Sequence, residues 1–113
     1  MTDLEITKLC AEAMGYKIVY ADQKDLPLCV ELERGSGVYF PLKDDAQAMA
    51  LVKKFKPLMD FIYRRGYVKV WIGEARTKEG NYQEATVLPD DDLNRAICLC
   101  VAKMQQAKER VSG

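Results

Sequence analysis

The chain has no histidine. That absence removes the side chain most often used as a general base near neutral pH and most often used to bind a metal ion. Long apolar runs are missing as well: none reaches the roughly 18 residues that a bilayer-crossing helix needs. No cationic segment leads into an apolar stretch in the first residues, as it would in a secretion signal. An excess of either charge is lacking too, because 17 basic side chains balance 17 acidic ones, whereas a non-specific phosphate binder carries a basic excess or stripe. Neither internal repeats nor a linker interrupt the pattern. These absences predict a cytosolic protein that is not an enzyme, with no membrane partner and no duplex nucleic acid.

At 113 residues the chain is read as a single domain, 1–113, large enough for one core. Its 49% hydrophobic and 30% charged content is that of a globular protein. Cys10, Cys29, Cys98 and Cys100 fall inside apolar patterns, so each is expected as a small buried hydrophobe with a free thiol. Cys98 and Cys100 are two apart on an expected helix, pointing about 200° away from each other, and cannot pinch one metal ion. "PDDDLN" lacks the central glycine and distal glutamate of a calcium loop, and its carboxylates oppose an anion at that helix start. "ERGSG" joins strand to strand without the lysine and hydroxyl of a phosphate loop. No metal and no cofactor is expected.

The periodicity predicts a first helix between Thr2 and Met14, with Thr2 or Asp3 at its start and Gly15 at its end. Three strands are expected before residue 43: "YKIVYA", then a run around Leu28, Val30 and Leu32, a reversal at "RGSG", and "VYFPL". From Asp44 and Asp45 a long helix is expected along Ala48, Leu51, Val52, Phe55, Leu58, Met59 and Ile62, kinked at Pro57 and closed by Gly66. "YVKVWIGEAR" and "YQEATVL" are expected to form a hairpin through "TKEGN". A last helix within Pro89 to Val111 buries Leu93, Ile97, Cys100, Val101 and Met104. The expected class is α+β: an antiparallel or mixed central sheet of about five strands with helices packed on its faces, an α-β-α sandwich.

What remains is an inventory of arginines, amides and aromatics. The last helix carries Asn94, Arg95, Lys103, Lys108 and Arg110 outside its apolar stripe, and the late hairpin adds Arg76, Asn81 and Tyr82. Arginine grips phosphate with a planar fork and an aromatic face stacks on a base, so Tyr82, Asn94, Arg110, Arg76 and Arg95 are the candidate ligand-binding residues. Each also has an ordinary role: strand end, half-buried strand residue, helix surface, or a cation complementing a helix C-terminus. Tyr16, Tyr20, Tyr39, Tyr63, Tyr67 and Trp71 form an aromatic set expected in core and sheet, with part of it at a homo-oligomer interface.

The segments "EITKLCAEAMGY", "PLKDDAQAMALVKKF" and "DDLNRAICLCVAKM" resemble the phage ABA sandwich family. There a first helix ending in Met-Gly, a proline-and-acid entry to the second helix and Arg-Ala-Ile in the last helix recur in that order. Within it, the chain resembles the first type of Thoeris anti-defence proteins, phage sponges for cyclic ADP-ribose isomers. The resemblance implies helices on both faces of a sheet, a non-catalytic homo-oligomer in the host cell cytoplasm, and a pocket between protomers. It implies Tyr82 as the aromatic after the late hairpin turn, Asn94 as the amide on the last helix and Arg110 as the arginine near the C-terminus.

Overall fold

The computed structural model describes the backbone of residues 1–20, 22–56, 58–62, 66–71, 85–89 and 92–112, and side chains within 1–20, 22–56, 66, 70 and 92–109. These residues form α1 (Asp3–Ala13), β1 (Leu28–Leu32), β2 (Gly35–Tyr39), α2 (Asp45–Phe55), β3 (Leu58–Ile62), β4 (Tyr67–Trp71), β5 (Ala85–Pro89) and α3 (Leu93–Ser112).

The first helix forms as its sequence predicts. The Thr2 hydroxyl accepts from the Glu5 N–H at 3.1 Å, satisfying a donor that the first turn leaves open. At the other end Gly15 takes φ 81°. Tyr16 N–H then donates to Ala11 O at 2.9 Å and Gly15 N–H to Glu12 O at 3.0 Å, the paired bonds of a Schellman ending.

Among the described residues the expected five-stranded sheet does not form. The described strands divide into a two-stranded sheet, β1-β2, and a three-stranded sheet, β3-β4-β5, all neighbours antiparallel. Two segments explain the difference. "YKIVYA" contributes only an isolated bridge, Ile18 to Val30, flanked by the bonds Val19 N–H to Cys29 O and Glu31 N–H to Lys17 O. The long second helix stops at Phe55, and Leu58–Ile62 forms β3 instead of a further helical stretch. Lys56 adopts φ 50°, ψ 55° while its N–H still donates to Val52 O. Pro57 has no N–H with which to continue the ladder and disfavours helical geometry in the residue before it.

The reversal between β1 and β2 also falls earlier than "RGSG" suggests. Glu33 and Arg34 form the turn, and Gly35 and Gly37 belong to β2. Neither turn residue has positive φ; Gly35, at φ 123°, supplies the unusual backbone. The expected pairing of the late hairpin does form: Tyr67 stands opposite Pro89 and Trp71 opposite Ala85. Its expected turn "TKEGN" lies outside the described residues. In β3-β4, Asp60 and Lys69 occupy opposed register positions.

Two glutamines secure the small sheet at both edges. The Gln47 amide accepts from Phe40 N–H, just past the end of β2, at 2.6 Å and donates to Val38 O within β2 at 2.9 Å. Gln23 accepts from Cys29 N–H at 3.0 Å and donates to the carbonyls of Asp25 and Pro27. Leu28, Val30 and Tyr39 face inward, and Val38 on the other face is 63% exposed.

A helix, not a sheet, occupies the middle of the molecule. Ala96, Ile97, Cys98, Cys100, Val101 and Ala102 of α3 are all buried, covering about 240° of its circumference at about 100° per residue. That arc is too wide for a helix lying on a single surface. Accordingly α3 packs against α1, α2, β4 and β5, and one core cluster runs from Ile6 and Cys10 through Leu28, Val30 and Leu51 to Val70 and Val101. The α-β-α sandwich is therefore replaced by an α+β arrangement built around α3.

Candidate site at the convergent helix starts

The three helices point the same way. Arg95, in the first turn of α3, donates to the Asp3 carboxylate at the start of α1 at 2.6 Å. Asn94, its neighbour, donates to the Asp45 carboxylate at the start of α2 at 2.7 Å. At the opposite end the Lys54 ammonium donates to Ala13 O, the last carbonyl of α1, at 2.8 Å. Parallel helices bring their positive dipole ends together, and acidic residues in those first turns relieve the repulsion. The acids Asp3, Asp44 and Asp45 are placed where that field favours them.

Beside this junction lies a groove of about 460 Å³ between α2, the start of α3 and the segment leading into α2. Its apolar wall comes from Leu42, Ala48, Met49, Leu93 and Ile97, and its polar groups are Lys43, Asp45, Asp92, Asn94 and Arg95. Met49 is half exposed. Two cations and two carboxylates balance, so the groove suits a ligand that has an apolar face and both donors and acceptors, not a bare anion. The volume falls within the roughly 300–1,000 Å³ usual for small-molecule pockets.

Of the residues singled out from sequence, Asn94 and Arg95 are side by side on this groove. Both are already engaged with carboxylates, each through one donor. Tyr82, Arg76 and Asn81 lie outside the described residues. Arg110 lies on α3, but its side chain is outside the described set; sixteen residues of helix separate it from Asn94, roughly 24 Å. Lys43 and Met49 lie in the segment "PLKDDAQAMALVKKF" but were not singled out as ligand-binding residues. The signal for Asp3 and Asp45 was available: each follows a capping residue, Thr2 or Asp44, that already satisfies the helix start.

A second polar cluster lies in the interior. The Cys10 thiol donates to Cys98 O at 3.3 Å, and both residues are fully buried. Hydrogen bonding to Cys98, then burial, pushes the Cys10 thiol well above the ordinary range, which suits packing and opposes any role as a nucleophile. Tyr39 packs edge-on against Tyr16, ring centroids 5.4 Å apart. Burial raises the Tyr39 phenol, and its hydroxyl has no hydrogen-bond partner among the described residues. The four cysteines are free thiols.

Among the described residues, no helix is long and apolar enough to cross a membrane. No family model, curated protein or solved structure matches the chain.

Proposed function

We propose that this chain is a non-catalytic phage anti-defence protein that binds and sequesters a cyclic ADP-ribose-type nucleotide. The observation that supports this reading is the groove at the helix starts, where Asn94 and Arg95 stand beside Lys43 and the exposed thioether of Met49. A nucleotide offers matching chemistry: an apolar base face, a base edge with donors and acceptors, ribose hydroxyls for the Asp92 carboxylate, and phosphates for the cations. Arg110, on the same helix but roughly 24 Å from Asn94, cannot reach the same small ligand within one protomer. The complete site is therefore shared between protomers of a homo-oligomer, with Tyr82 stacking on the base.

Protein purified from cells producing cyclic ADP-ribose isomers should release an intact nucleotide on denaturation, detected by mass spectrometry. Stacking on one aromatic contributes roughly 1–3 kcal/mol and a charge-assisted bond about 1.5–3 kcal/mol, so Tyr82→Ala and Arg110→Ala should each weaken binding about 10- to 100-fold in calorimetry. A folded double variant that binds as tightly as the parent removes those two residues from the site. Failure of the parent to bind any such nucleotide removes the function.

The alternative is a phage protein that inhibits a host protein without a small ligand. It is favoured by the exposed apolar side chains of Tyr20 and Val38, 64% and 63% accessible near and on the outer face of the small sheet. Loss of host-protein binding in Val38→Lys, with nucleotide binding absent from the parent, would select it.

A further inference from the structure

We infer that Asp45 and Asp3 are positioning residues, which hold Asn94 and Arg95 of α3 in the orientation that a nucleotide meets in the groove. This assignment rests on the groove being the nucleotide site. Neither acid is needed to cap its own helix. Thr2 accepts from Glu5 N–H in α1, and the Asp44 carboxylate accepts from Gln47 N–H at 3.0 Å in α2. Asp3 and Asp45 are the next residues along, and both side chains reach across to α3 instead.

The geometry of α3 explains why two carboxylates are required. Residues 94 and 95 are separated by about 100° around the helix axis, so one acid cannot hold both. Each is met by the helix on its own side, Asn94 by α2 and Arg95 by α1.

The consequence for Asn94 is specific. Its amide nitrogen must be the atom facing Asp45, because two acceptor oxygens would repel. The flip is thereby fixed, leaving the amide oxygen and the second N–H as an adjacent acceptor and donor. That pair is complementary to a base edge presenting a donor beside an acceptor, as adenine does. For Arg95 the bond to Asp3 uses one of five N–H groups. The remainder stay available for a phosphate oxygen, held at the groove with the rotamer already chosen.

The test uses the full chain with cyclic ADP-ribose and its inosine counterpart as probes. Asp45→Ala should weaken cyclic ADP-ribose about tenfold and reduce its preference over the inosine analogue. Asp45→Asn, which still accepts from the Asn94 amide, should restore most of both. In an Asn94→Ala background Asp45→Ala should have no further effect. An equal loss in both backgrounds, or no loss at all, overturns the assignment. A readout independent of ligand is the pair of Asn94 side-chain amide protons by NMR, which Asp45 should spread apart and Asp45→Ala should bring together. If the parent binds neither probe while this signature is present, the nucleotide reading fails and the Asp45 hold on Asn94 stands. An Asn94 signature that ignores Asp45 removes the hold itself.

Discussion

At the starting end of the helices, Asp3 and Asp45 each meet a hydrogen-bond donor from α3; at the far end, Glu12 of α1 meets another carboxylate, Glu109 of α3. The two ends belong to the same parallel group and differ in the field they create. Three helix starts concentrate positive partial charge, so carboxylates are welcome there and serve as anchors for α3. The far end concentrates carbonyl ends, and a cation is what fits, as Lys54 on Ala13 O shows. There Glu12 faces Glu109: hydrogen bonding to the Glu109 carboxyl, then partial burial, pushes Glu12 up to about 7 against the opposing pull of Lys8. One end is tied by opposite partners, and at the other two carboxyl groups stand together, so that Glu12 keeps its proton to a higher pH than a free glutamate.

The change expected to affect both ends together is Ile6→Ala. Ile6 is fully buried on α1, between Asp3 and Cys10. Deleting a buried isoleucine side chain costs about 2–5 kcal/mol. Urea unfolding should show that loss, with the midpoint lowered and the slope retained. A loss below about 1 kcal/mol, far under the usual cost of such a cavity, would mean that the seam between α1 and α3 collapses around the gap and that the two ends are held independently.

A smaller effect is expected at the starting end alone. Gln47 sits in the first turn of α2 and ties the small sheet to it through Phe40 N–H and Val38 O. Gln47→Ala leaves those two backbone groups to water or to nothing, at a cost of about 1–3 kcal/mol. Hydrogen exchange at Phe40 should accelerate while the amide of Ala13, near the far end, keeps its protection. Equal acceleration at both would show that the ends unfold as a unit.

The two ends also differ in how far sequence can express them. Helix limits written in local chemistry were legible: Thr2 and Gly15 bound α1, and Asp44 starts α2, because caps act within three or four residues. The apolar arc of α3 was legible in part, since Leu93, Ile97, Cys100, Val101 and Met104 do belong to the core side. The end of α2 was not. The stripe from Leu51 through Leu58 to Ile62 keeps helical spacing, yet Leu58–Ile62 is paired with Tyr67–Trp71 as a strand. Short apolar runs satisfy both periods, and only the partner strand and Pro57 decide. Sheet membership is likewise a long-range property: "YKIVYA" supplies only a bridge, Leu58–Ile62 supplies a strand that was expected as helix, and the division into two sheets could not be foreseen. At the site, Asn94 and Arg95 could be picked out as polar residues on an amphipathic helix. Their partners are 49 and 92 residues away in sequence, and no motif spacing encodes such a meeting.

The far end supplies the smallest and most diagnostic effect, because its sign is opposite to that of ordinary acid denaturation. In the unfolded chain Glu12 loses its proton near its ordinary value of 4.5; in the folded protein it keeps the proton up to about 7. The folded state therefore binds more protons between those values. Stability from this pair is fully present below about pH 4.5 and is lost as pH rises through about 7. Both carboxylates are exposed, which keeps the effect modest through solvent screening. Glu109→Gln replaces the second carboxylate with an amide that can donate to Glu12. The variant should lose the decline in thermal midpoint between pH 5 and pH 8 that the parent shows, and become the more stable of the two at pH 8. If parent and variant follow the same curve across that window, Glu109 does not raise Glu12, and the contrast between the two helix ends reduces to the anchors at the start.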